Sequence, residues 1–125
     1  GETTITAEDY VAGKRYGDAI CYCFYPIDRH VPNGIHQVFL SPGVVPTIPY
    51  RALIPKGARK LLAAGRRISG DTDANSAYRV QAPCMATGQA AGTAAALAVQ
   101  LNCQVGEVPY ALLCQKLKQI GAIVP

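Results

Sequence analysis

The sequence predicts an α+β chain: mixed short strands, one long helix of small residues and a C-terminal amphipathic helix. Two observations carry this. The run from Ala82 to Leu101 holds no charge in twenty residues and contains eight alanines, so it reads as one long helix. Upstream, short apolar segments rich in aromatic residues alternate with stretches bearing proline and glycine, the pattern of short strands and turns.

Taken in order, Thr6-Ala7-Glu8-Asp9 has capping-box form and opens a short helix that ends near Gly13. Ala19 to Tyr25 is a strand, ended by Pro26. YPIDRHVPNG, with two prolines and an Asn-Gly pair, reads as loop, and His36 to Leu40 as a second strand. Ser41 to Pro49 carries three prolines and is expected to be irregular. Tyr50 to Ile54 and the buried-looking Leu61 to Ala64 read as further strands. Gly70 to Ala82 is polar and irregular, with room for one helical turn. Cys84 to Leu101 is the long helix. The last helix starts near Pro109, turns Leu113, Leu117 and Ile120 to one face, and stops at Gly121.

Composition narrows the class. Half of the 125 residues are hydrophobic and only 16% are charged, against roughly 25% in soluble domains. That deficit fits either a membrane protein or a piece of a larger protein whose other parts cover apolar faces. Gly88 and Gly92 stand at the GxxxG spacing of membrane helix dimers. Alanine is a poor anchor in lipid, however, and Gln89, Thr93, Ala96 and Gln100 form a polar stripe on the same helix. No basic cluster or aromatic belt flanks the run, so no membrane partner is expected.

A net charge of +4 is too weak to argue for nucleic acid. Arg51, Lys56, Arg59, Lys60, Arg66 and Arg67 read as a solvated basic face with little aromatic interleaving. Five cysteines without a CxxC pair or ligand-spaced histidines argue against a zinc site or a disulfide framework, and for reduced thiols in a cytoplasmic setting.

Gly88, Ala91, Gly92 and Ala95 give the long helix a smooth face that lets a backbone or a flat ring approach closely. Its N-terminus offers unpaired N–H groups and the positive end of the helix dipole to an anion or a carbonyl. Packing on a sheet would explain the small residues equally well.

The runs IPYRALIPKGARKLLAAGRRISGD and YRVQAPCMATGQAAGTAAALA resemble the C-terminal part of the FAD-dependent oxidoreductase family, within the glutathione-reductase-like flavoproteins. ITAEDYVAGKRYGDAI and YPIDRH resemble segments that precede them there, in the same order, so the likeness spans nearly the whole chain. It implies that residues 1–55 belong to a substrate or cap domain and 56–125 to the segment that returns to the FAD-binding domain. A GxGxxG fingerprint with a downstream acid is missing. The expectation is therefore a C-terminal fragment lacking its dinucleotide-binding part, binding FAD weakly or not at all alone, and open to self-association through uncovered apolar surface.

The resemblance also implies roles. Ala64, Gly65 and Arg66 would lie by the ribityl and phosphate part of FAD, and the N–H groups of Cys84 and Met85 at the pyrimidine edge of the flavin. The implied reaction is hydride transfer between a small-molecule substrate C–H and flavin N5. Asp28 and His30 could act as orienter and proton carrier, or simply cap and line a turn. Related flavoproteins often place an arginine where Arg79 stands, gripping a substrate carboxylate; a salt bridge to Asp71 or Asp73 is the structural alternative. Cys84 reads as a packed spectator rather than a redox thiol. The competing function is a non-catalytic interaction module that self-associates through apolar faces.

Overall fold

A computed structural model describes residues 1–125. Helix α1 spans Ala7–Val11, with Thr6 as its cap: the Thr6 hydroxyl accepts from the Asp9 N–H at 3.1 Å. Strands β1 (Ala19–Tyr22) and β4 (Thr47–Pro49) form one antiparallel pair, and β2 (Ile27–Val31) and β3 (Gly34–Val38) form another. Helices α2 (Thr72–Tyr78), α3 (Gln81–Gln100) and α4 (Tyr110–Gln119) follow. The fold class is α+β, as the sequence predicts.

One core holds these elements together. Ile48, Leu53 and Leu113 are fully buried, and Ile5, Tyr10, Ile54, Tyr78 and Leu117 are nearly so. Two tyrosines pin distant segments by their hydroxyls: Tyr50 donates to the Val105 carbonyl and Tyr110 to that of Ala19, each at 2.7 Å. Helix α3 enters this core along Thr87, Ala90, Ala94, Leu97 and Ala98, a stripe at helical spacing whose small side chains bring its axis close to β1 and α4. Of the smooth face expected to pack, Ala91 alone lies against the core, and the rest faces outward. Gly88 and Gly92 have open space where a Cβ would stand, and Ala95 is exposed.

Several elements depart from the expectation, each for a local reason. YPIDRHVPNG is not a loop: Ile27–Val31 pairs with Gly34–Val38 across Pro32 and Asn33, which form the turn. The proline-rich stretch is not wholly irregular, because Thr47–Pro49 pairs with β1 from the chain's interior. Tyr50–Leu53 is a 3₁₀ turn rather than a strand. The Asp18 carboxylate holds it, accepting the Arg51 backbone N–H at 3.0 Å and the guanidinium at 3.0 and 3.2 Å.

Leu61 to Ala64 is extended but has no strand beside it. Its one backbone tie to a distant segment is the Ala63 N–H to the Leu53 carbonyl at 2.7 Å, and Leu61 is 59% exposed. The stretch after Gly70 makes two helical turns rather than one. Asp71 caps α2 through Oδ1 and takes the Ala7 N–H through Oδ2, so one carboxylate serves two helix starts. Ile120, expected on the inner face of α4, is exposed; the helix closes at Gln119, and Gly121 turns the chain away with φ +84°.

No helix is long and apolar enough to cross a membrane. All five cysteines are free thiols, and no cluster of His, Cys, Asp or Glu is close enough to hold a metal.

Candidate functional site

Helix α3 begins three residues before Cys84. Val80 is its cap and Gln81 its first residue, with Pro83 in the first turn, where a missing N–H costs nothing. This moves the free donors. The Cys84 N–H is already spent on the Val80 carbonyl at 3.2 Å, whereas those of Gln81 and Ala82 have no partner in the chain. Met85 lies a turn further in and presents its side chain, 75% exposed, to solvent.

The Ala64-Gly65-Arg66 turn lies against this helix start. Gly65 has φ +62°, a conformation that favours glycine, and its N–H donates to the Thr87 hydroxyl at 3.0 Å. The Cys84 side chain packs beside it, and its thiol donates to the Arg79 carbonyl at 3.3 Å. The Arg66 guanidinium reaches the same carbonyl at 3.4 Å. Five residues singled out from the sequence, Gly65, Arg66, Arg79, Cys84 and Met85, are thus gathered at one helix end.

Asp28 and His30 lie on β2, which packs on α2. Both backbone groups of Asp28 are held from that helix: its N–H donates to the Ser76 hydroxyl at 3.0 Å, and its carbonyl accepts from Arg79 Nη2 at 3.2 Å. The Asp28 carboxylate turns instead along the hairpin to the Gln37 amide at 3.1 Å. The backbone of Asp28, not its side chain, meets Arg79. Neither expected salt bridge of Arg79 forms, since Asp71 is a helix cap and Asp73 pairs with Arg29 at 2.9 Å.

Two cavities open next to the start of α3. One, about 200 Å³, is lined by Arg29, His30, Thr72, Asn75, Ser76 and Arg79 without an apolar side chain. The other, about 550 Å³, is mostly apolar and is bounded by Cys21, Tyr22, Ala82, Pro83, Met85 and Ala86 among others. Burial pushes the Cys21 thiol up to about 12, so at neutral pH it is a packing group and not a nucleophile. Burial likewise pushes the Tyr78 phenol up to about 12.

Residues 1–117 match the model of the family described as FAD dependent oxidoreductase. The chain belongs to that family. No curated protein and no solved structure matches it. Members of an FAD dependent oxidoreductase family bind the cofactor in the intact protein, and the residues here fit one edge of it. Two orphan N–H groups at the positive end of a twenty-residue helix suit a carbonyl or anionic edge, and Gly65 lets backbone approach closely.

The sequence reading missed Gln81 and Ala82 as donors, and Arg29, Asn75 and Ser76 as cavity walls. The QAP triplet carried a signal for the first pair: proline is favoured in the first turn of a helix, which sets the start before Cys84.

Proposed function

We propose that this chain is the flavin-edge and substrate-wall part of an FAD-dependent oxidoreductase of the glutathione-reductase-like kind. The observation that carries the reading is the pair of unpartnered N–H groups at Gln81 and Ala82, beside the Gly65 turn, in a chain of this family. Residues 1–55 would form the substrate side and 56–125 the segment returning to the cofactor, both sharing one core. The ADP half would be held by a GxGxxG segment that this sequence does not contain. FAD, when bound, supplies hydride chemistry at N5.

This chain's residues then do the following. Gln81 and Ala82 donate to the polar edge of the ring, where negative charge develops. Ala64, Gly65 and Arg66 approach the ribityl and phosphate part, and Cys84 packs behind them. The apolar cleft at Ala82, Pro83 and Met85 takes the flat body of a ring. Arg79 contacts the substrate, and His30, exposed at the rim of the polar cavity, exchanges its proton. The outer face of α3 and the unpaired Leu61 to Ala64 segment pack on the dinucleotide-binding part, or on a second copy where that part is absent. The free thiols suit a cytoplasmic setting.

The test is the chain joined to its dinucleotide-binding segment and purified with FAD. A yellow protein is expected. Arg79→Ala should keep the flavin while slowing its reduction by substrate about tenfold or more. A colourless protein that takes up no FAD overturns the reading.

A further inference from the structure

We propose that the bare edge of β3 pairs with β3 of a second copy of this chain, giving a two-fold dimer with one four-stranded sheet. The flavin reading makes no use of this surface.

The two edges of the β2–β3 sheet differ. Asp28 donates its N–H to the Ser76 hydroxyl and accepts from Arg79 at its carbonyl, so α2 occupies the outer edge of β2. Asp28 and its mate Gln37 therefore exchange no backbone bonds, because bonded and non-bonded positions alternate along an antiparallel pair. The same alternation turns the N–H and carbonyl of Ile35 and Gln37, and of Phe39 just past the strand, away from β2. No other element lies along that side, and Gly34 to Gln37 are all exposed. Edge strands are normally blunted by charge or proline. Gly34 to Leu40 carries no Asp, Glu, Lys, Arg or Pro.

What fits this edge is the edge itself. With Gln37 on a two-fold axis, Gln37 faces Gln37, and Ile35 of each copy faces Phe39 of the other. These are the three residues whose backbone groups point outward, so the bonding positions of one copy meet those of its mate. Ile35 and Phe39 are exposed on one face of the strand, and cross-strand pairs of an aromatic with a β-branched residue are favourable. His36 faces Val38, so no like charges meet. The chain's two phenylalanines, Phe24 and Phe39, are both 71% exposed, and with Tyr25, Pro26 and Leu40 they line one hollow of about 110 Å³. The pairing would cover part of this apolar patch. A two-stranded ribbon is marginal by itself, whereas three or more strands sustain a sheet. The joined sheet has β2 at both ends, each covered by its own α2, so the pairing closes at two copies and does not grow into a fibre.

The experiment measures the oligomeric state of the chain by sedimentation. An edge this short buries less than the roughly 1,600 Å² of a standard interface, so a weak, reversible dimer is expected at high micromolar concentration. Gln37→Pro deletes an outward N–H and leaves the ladder to β2 in place. Ile35→Lys puts a charge on exposed surface and is the folding-safe variant. Each should weaken the dimer about tenfold while the amide shifts of β1 and β4 stay those of the parent. Val99→Lys, on the open face of α3, should leave the dimer unchanged. Cross-linking reads the register. Residues at bonded positions stand about 5.5 Å apart at Cα, within disulfide reach, so Gln37→Cys should cross-link on mild oxidation above the level set by the parent's five thiols. Ile35→Cys should not, since the two copies of that position lie four residues apart along the paired strands, about 14 Å.

A chain that stays monomeric up to about 1 mM overturns the dimer and gives the edge to an extended segment of another protein. A dimer that Ile35→Lys retains in full, or that Val99→Lys dissolves, overturns the assignment to β3. Ile35→Cys cross-linking as readily as Gln37→Cys overturns the register.

Discussion

Strands β1 and β4 pair across a long stretch of chain and are buried along nearly their whole length, whereas β2 and β3 pair across a two-residue turn and leave β3 almost wholly exposed. The first sheet is held by the core. The second enters the core only at its open end, through Ile27 and Val38, and is otherwise held by a polar clamp to α2: Arg29 to Asp73, Ser76 to Asp28 N–H, Arg79 to Asp28 carbonyl. Apolar burial fixes a sheet at several kcal/mol, whereas exposed polar ties fix one at about 1 kcal/mol each. The hairpin that carries His30 is therefore the more mobile of the two in the free chain.

The largest effect that tests this contrast comes from truncating matched residues. Ile48 in β4 is fully buried and Ile35 in β3 is 54% exposed. Ile48→Ala should cost about 2–5 kcal/mol, and Ile35→Ala should stay within about 0.5 kcal/mol. Urea denaturation of both variants measures it; equal costs would erase the distinction between the sheets.

Next comes the joint between the two regions. Ile5 bridges to Gly70 just before α2, and a Cβ on Gly70 would overlap the Tyr78 hydroxyl oxygen and stand 2.8 Å from Cζ. Tyr78 is 1% exposed, so the ring has nowhere to go. Gly70→Ala should cost about 1–3 kcal/mol by overpacking. The Tyr78 hydroxyl is buried without a partner, so Tyr78→Phe alone should be near neutral or stabilising, and it should relieve part of the Gly70→Ala penalty. Additive costs in the double variant would show that the two do not meet.

Asp18 tests the buried sheet's one ionic tie. Burial pushes its carboxyl up, but the hydrogen bonds from Arg51 outweigh this and hold it below the usual carboxylate range. A lowered folded-state pKa stabilises the fold above the ordinary value of about 3.9 and stops doing so as pH falls through the depressed one. With Arg51 exposed and its charge screened, Asp18→Asn should cost about 1 kcal/mol at neutral pH. Parent and variant should converge in acid, below the usual carboxylate range. A difference that persists there would mean that packing, not charge, holds the 3₁₀ turn.

Local chemistry was the readable part of the sequence. Thr6 as a cap, Gly121 as a stop and the apolar run of α3 are set by neighbours within one or two turns, and all three form as expected. What escaped depends on distant partners. Thr47–Pro49 becomes a strand only because β1 lies beside it, and Tyr50–Leu53 curls because Asp18, over thirty residues away, captures Arg51. The same holds for the site. Arg79 and Cys84 could be picked out by their place before and within a helix start, but Ser76 and Asn75 became part of it only once β2 and the Arg66 turn packed on α2. The packed face of α3 is not legible in the sequence because small residues stand both on it and on the open side, and no periodicity separates the two.

The smallest global effect should come from the clamp itself. Ser76 is 5% exposed; its hydroxyl donates to the Asp73 carbonyl at 2.6 Å while accepting from Asp28 N–H. Ser76→Ala removes one tie from the hairpin and leaves the core apolar contacts in place. Global stability should fall by less than about 1 kcal/mol, because Asp28 is only half-buried and water can take over its N–H. The local consequence should be larger than the global one. Amide exchange should quicken roughly fivefold, the equivalent of about 1 kcal/mol, across β2 and β3 but not across β1 and β4. Hydrogen exchange resolved by residue reads both sheets in one experiment. Faster exchange in both would show that the hairpin opens only with the whole fold, and the polar clamp would then have no separate existence.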